Sequence, residues 1–329
     1  MTSAAQPDRE RAADAELLAY AGLVGASLGW SAAFIAGKIV LAEMTPLVAA
    51  TWRFVVASVI LLPFAVRRVP AALRLPAEAR GLLAPLAVLV ACGSVLYPWA
   101  FMSALARTSA TNTALLVALN PVFTVLLAPL VGEALSRQRL AGIALGLTGA
   151  ATVITKGDVR HLGDLSINAG DLLAVTAAAL WAVFNLAARP VVARATPAFI
   201  NCVLYVIGGA GLCALGWSEH PWAQLVKASP AALAAIVAMA VLASVLAGQF
   251  FLIGVRVVGV GRSVVFIYLV PVLTAVLSAA FLGERFTPAQ AAGGAAVLAG
   301  VYWAGRAGSG IRAKKKLAEA EARPALASG

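Results

Sequence analysis

Ten apolar stretches follow one another through this 329-residue chain, and the pattern of the first five returns in the last five. Trp30, Lys38 and Pro46 are matched by Trp181, Arg189 and Pro197, each pair 151 positions apart. The run Leu119, Asn120, Pro121, Val122, closed by Gly132 and Glu133, is echoed by Leu269, Val270, Pro271, Val272 and by Gly283 and Glu284. A duplication with an odd number of spans per copy forces the copies into opposite orientations. Inverted repeats of this kind build alternating-access carriers, in which one half rocks against the other around a midplane site. The expected fold is therefore all-α: a polytopic membrane protein with ten transmembrane helices in two inverted five-helix repeats.

Composition agrees with that expectation. Hydrophobic residues make up 62% of the chain and charged residues 12%, too little charge to cover a soluble domain of this length. A hydrocarbon core about 30 Å thick takes roughly 20 apolar residues as a helix. The predicted spans are 17–41, 45–66, 81–105, 110–131, 138–155, 170–192, 198–216, 230–254, 260–282 and 288–305. Connectors such as Ala42-Glu43-Met44 and Arg107-Thr108-Ser109 leave room for little beyond a tight turn. The organisation is then a cytoplasmic N-terminal segment (1–16), a first five-helix repeat (17–155), a linker (156–169), a second five-helix repeat (170–305) and a basic cytoplasmic tail (306–329).

Basic residues fix the orientation. With the N-terminus in the cytoplasm, only Arg107, Lys156, Arg160, Lys227 and Arg285 of the 25 Lys and Arg fall outside, and Lys38, Arg53 and Arg189 lie within spans. That bias places both termini inside. The net charge of +11 thus reflects membrane topology, and nucleic acid is not an expected partner; membrane lipids are. Cys92, Cys202 and Cys213 are scattered through apolar stretches and make no disulfide framework. The oligomeric state is open.

Polar groups at membrane depth are costly unless they meet water, substrate or one another. Lys38 and Arg189, equivalent in the two repeats, sit about a turn from their helix ends. They either snorkel to the interface, or bind a carboxylate or line a gate. Arg53 is deeper, and its counterpart Leu204 is apolar, so it is expected to face the protein interior or a cavity. Pro98, Pro121 and Pro271 interrupt apolar stretches and are expected to kink them. Around them gather the candidate substrate-binding residues Tyr97, Trp99, Asn112, Asn120, Gln249 and Tyr268, joined by Trp30, Trp181 and Asn185. Positions 181 and 185 share a helix face. Glu133 and Glu284 are read as caps of the helices that follow them, and no Asp or Glu lies in the middle of a span. Walker A, HExxH, GxSxG and GxGxxG patterns are missing, and His161 and His220 sit alone in connectors. No enzyme activity, cofactor or metal is expected.

Trp30, Lys38, Pro46, Arg53-Phe54, the run from Ala104 to Ala110, Asn120-Pro121 and Gly132-Glu133 in the first half resemble the drug/metabolite transporter superfamily, in its ten-helix branch built from two EamA domains. So do Trp181, Pro197, Gly259 to Arg262, Tyr268 to Val272 and Gly283 to Pro288 in the second. Within it the chain looks most like the YddG-type exporters of aromatic and other neutral amino acids. The resemblance implies a bacterial inner-membrane carrier exporting a small amphipathic metabolite such as an amino acid. The alternatives are a multidrug or nucleotide-sugar carrier of the same superfamily, and a membrane scaffold or receptor without transport. Lipid-facing Asn120 and Tyr268 would favour the scaffold.

Overall fold

The structure, a computed structural model, describes residues 5–66, 83–131, 137–154, 157, 168–192, 197–258, 263, 266–300 and 302–303. Proline opens several of its helices, where a missing N–H costs nothing and the fixed φ suits the first turn. Thus α1 (Ala5–Leu41) is followed by α2 (Pro46–Val66), which starts on Pro46. The next helix runs as α3 (Leu83–Val90), a π-helical segment (Ala91–Leu96) and α4 (Tyr97–Arg107). Then come α5 (Ala110–Val117), α6 (Asn120–Leu126) and α7 (Arg137–Ile154).

The second half repeats the order. It holds α8 (Ala169–Val192) and α9 (Pro197–Leu215), which starts on Pro197 as α2 starts on its mate. The short α10 (Pro221–Lys227) leads into α11 (Pro230–Ala238), a second π-helical segment (Met239–Leu246) and α12 (Ala247–Val258). The series ends with α13 (Leu269–Leu282) and α14, helical over 288–300.

Among the described residues five stretches are long and apolar enough to cross a membrane: Asp14–Leu41, Pro46–Phe64, Ala84–Arg107, Ala169–Ala187 and Pro230–Phe251. Ile200–Leu215 joined to Trp217–Lys227, bent by 65°, makes a sixth. Ala110–Leu126, Leu140–Val153 and Leu269–Leu282 are shorter apolar helices. The chain is thus an all-α, multi-pass membrane protein. The prolines fall at helix breaks: Pro98 just after the first π segment, Pro121 at the start of α6, Pro271 in the first turn of α13.

Helix partners cross between the halves. The first helix, α1, packs against α11, the second π segment, α12 and α13. Its counterpart α8 packs against α3, the first π segment, α4, α5 and α6. The mates α2 and α9 pack on each other. The halves are therefore interleaved through their first helices. Ser27 and Ser31, one turn apart on α1, fix this docking by donating to the carbonyls of Phe266 (2.7 Å) and Val270 (3.1 Å) beside Pro271. The largest apolar cluster is built around this contact, from Phe34 and Val40 through Phe101 and Leu105 to Met239 and Val270.

Candidate functional site

Two polar assemblies stand out, one at an end of the bundle and one deep within it. The first joins the short connectors that follow α1, α4, α9, α10 and α13 with the start of α8. At its centre α4 ends and α5 begins, leaving unpaired carbonyls and N–H groups within three residues. Lys38 donates to the Thr108 carbonyl (2.6 Å) and Asn168 to the Arg107 carbonyl (2.9 Å), placing donors and a cation at the C-terminal end of α4. Glu284 does the converse at α5, accepting from the backbone of Ala110 (2.7 Å) and Thr111 (3.1 Å) and from the Thr111 hydroxyl (2.9 Å). Ser109 adds a local cap to Asn112 N.

Glu284 therefore caps a helix of the other half, a correction to the expectation that it caps the helix following it. Two features cause this. Gly283 ends α13 in the left-handed region (φ 66°), which folds the chain back so that Glu284 N donates to Ser278 O (3.2 Å). Meanwhile α14 has its own capping box, with Thr287 N donating to Gln290 Oε1 and Gln290 N to Thr287 Oγ1. Glu133 lies outside the described residues.

The assembly extends further. Thr108 and Asn112 both donate to Asp171 (2.6 and 3.3 Å), which is buried at the first turn of α8. Gln290 Nε2 donates to Asn112 Oδ1 (2.6 Å), and Thr111 pairs with Ser278 across the halves (2.8 Å). On the far side Thr45 bonds Glu219 and Gln224, and Glu43 accepts from the hydroxyl and amide of Ser229. Those two bonds hold the exposed Glu43 carboxyl below its ordinary range. These bonds tie connectors of both halves together and make this end a hydrogen-bonded seal.

The second assembly surrounds Arg53. Its Nε donates to Ser244 Oγ (2.9 Å) in the second π segment, and Tyr205 donates to the Ser244 carbonyl (3.0 Å). Tyr97 lies within electrostatic reach of the guanidinium. From Tyr97 an aromatic wall continues to Trp181 (4.7 Å between centroids), then Phe184 (4.8 Å), and on its other side to Phe101 (6.0 Å) and Phe34 (5.0 Å). The two π segments occupy equivalent places in the repeats, and each holds a buried serine, Ser94 and Ser244. Pro98 does not explain both, since Gly248 stands at its equivalent. The wider turns displace carbonyls that glycines accommodate: an added Cβ on Gly29 would lie 2.5 Å from Leu242 O, and one on Gly208 2.5 Å from Ser94 O. Such segments concentrate at functional sites.

The sequence candidates divide accordingly. Tyr97, Trp181 and Arg53 come together in the deep assembly, with Asn185 half-buried one turn from Trp181. Lys38 and Asn112 belong to the seal, with both ends of the Asn112 amide already bonded to protein. Trp30 packs on Phe251 (5.4 Å), and Trp99 is 38% exposed. Asn120 is 8% exposed and half-buried Tyr268 packs on the apolar cluster of Leu115 and Leu119, so Asn120 does not face lipid. Among the described residues, buried Gln249 Nε2 has no hydrogen-bond partner, nor has Thr274 Oγ1. The Arg189 side chain lies outside the described residues. Sequence reasoning missed Ser244 and Tyr205. The spacing of Ser94 and Ser244, and the adjacency of Tyr205 to the mate of Arg53, were the available signals. Among the described residues no cluster of three His, Cys, Asp or Glu could hold a metal.

The EamA-like transporter family model matches residues 17–155 and again 168–306. The chain belongs to that family. As an EamA-like transporter it is a membrane carrier and not an enzyme. It is similar to the uncharacterized transporter YyaM of Bacillus subtilis (28% identity, covering 87% of this chain and 92% of that one). An uncharacterized transporter of Archaeoglobus fulgidus is 29% identical over 83% of this chain and 92% of its own. A Streptantibioticus cattleyicolor protein named "probable terminal-alkyne amino-acid exporter" is 31% identical over 62% of this chain and 66% of its own. A solved crystal structure shares the fold, with TM-score 0.58 at 20% identity over 91% of this chain and 99% of that one.

Proposed function

We propose that this EamA-like transporter exports small neutral or aromatic amino acids, or related metabolites, from the cytoplasm by alternating access. The observation that carries the reading is the seal: residues of both halves close one end of the bundle above a deep aromatic and cationic assembly. In the proposed arrangement, ten helices form two inverted five-helix repeats, with both termini in the cytoplasm of a bacterial cell. The seal then lies at the outer face, and the exporter sits outwardly closed. The reciprocal packing of α1 and α8, the mutual packing of α2 and α9, and the paired π segments support the two-fold relation.

An amino-acid substrate is supported by the wall of Tyr97, Trp181 and Phe101, and by the name of the Streptantibioticus cattleyicolor relative. It also fits the resemblance to YddG-type exporters. Transport would follow as hydrogen bonds of the seal break and reform while the π-helical spans flex. The test is counterflow of labelled neutral and aromatic amino acids into proteoliposomes holding the purified full chain. Uptake several-fold above empty liposomes is expected for at least one of them. No flux across the whole panel overturns the substrate reading.

A further inference from the structure

Arg53 is a strong cation deep in the bundle, and among the described residues no acid pairs with it. It lies seven residues into α2, on the order of 10 Å from the sealed end at 1.5 Å per residue. The acids with described side chains, Asp14, Glu16, Glu43, Asp171, Glu219 and Glu284, all stand near helix ends or in connectors, and none of them pairs with it. Of the guanidinium's five N–H donors, Nε alone has a partner among the described residues, the Ser244 hydroxyl. Four N–H donors on the buried guanidinium are thus left without a protein acceptor among the described residues.

We propose that the Arg53 fork is the carboxylate-binding subsite of the transport pathway, so that the substrate is a solute with a free carboxylate. The proposal rests on the exporter reading and narrows its substrate class. Ser244 and Tyr205 serve as positioning residues. Tyr205 bonds the Ser244 carbonyl and Ser244 engages Nε, which fixes the guanidinium by one edge and leaves the terminal pair to a ligand. A planar fork of two parallel donors matches a carboxylate bidentately. Tyr97, within reach of the same guanidinium and in contact with Trp181 and Phe101, provides an apolar wall next to the bound carboxylate. An aromatic or aliphatic α-amino acid presents both features, a carboxylate and an apolar side chain.

The experiment compares four matched probes on the purified full chain in detergent at constant chloride: L-phenylalanine, L-phenylalaninamide, phenethylamine and 3-phenylpropionate, with inorganic phosphate as a fifth. Thermal stabilisation by the two carboxylates, at least tenfold weaker for the amide and the amine, is expected. Arg53→Gln should abolish the difference and Arg53→Lys retain part of it. The wild-type contrast needs no variant, so poor folding of Arg53→Gln leaves the test intact. Stabilisation by carboxylates without amino-acid flux in liposomes would leave the subsite standing and overturn the exporter reading. Amino-acid flux that amidation leaves within twofold would do the reverse. Stabilisation by phosphate alone, or by no carboxylate probe, also overturns the subsite.

Discussion

At the scale of single residues, charge is placed where backbone dipoles need it. Glu284 and Lys38 flank one tight turn, the acid at the start of α5 and the base at the end of α4. Removing a cap that satisfies two N–H groups costs about 1 kcal/mol, roughly fivefold in a two-state equilibrium. Glu284→Ala should therefore shift the sealed end toward open. A cysteine at Thr111 should then react several-fold faster with a membrane-impermeant maleimide than in the Glu284-containing protein. Glu43 gives a pH-dependent counterpart. Its folded carboxyl titrates below the unfolded value because Ser229 donates to it twice. The stability it contributes is present above the unfolded pKa and is lost as pH falls through the depressed folded one. Ser229→Ala should flatten that acid limb in a pH series of melting temperatures, and an unchanged series would contradict the assignment.

At the scale of elements, the paired π segments set how closely their neighbours approach. Gly29 and Gly208 lie against carbonyls of those segments, and backbone yields less readily than a flexible side chain. Gly29→Ala and Gly208→Ala should each destabilise by about 1–3 kcal/mol, read as a lower melting temperature, whereas Gly283→Ala meets open space and acts through its positive φ. The five long apolar helices, and the bent pair that makes a sixth, were legible from hydrophobic runs and from prolines at helix starts. The π segments were not. An apolar run such as Ala91 to Leu96 reads the same whether its turns hold 3.6 residues or more, and only the displaced carbonyls distinguish them. The destination of Glu284 was hidden for a similar reason. Its neighbours in sequence form a capping box of their own, so its true partner lies some 170 residues away, beyond any local pattern.

At the scale of the whole molecule, the duplicated sequence indicated which helices are equivalent but not which ones touch. Equivalence constrains packing only in pairs: once α1 docks on α12 and α13, α8 must dock on α4 to α6. Asn112 illustrates the limit. Its amide looked available to a ligand because its span is apolar, yet it occupies the first turn of α5 and is consumed by the seal. Arg53 was legible as an interior cation because burial against lipid is so unfavourable, while its partners required three other helices to be positioned. The alternating-access account holds that this seal must part in every cycle. Thr111 and Ser278 meet there from opposite halves with hydroxyls 2.8 Å apart, close enough for cysteines in their places to bridge. The decisive measurement is counterflow by the Thr111→Cys/Ser278→Cys protein, oxidised and then reduced. The account predicts that the disulfide stops flux and that reduction restores it; undiminished flux in the fully oxidised protein would contradict it.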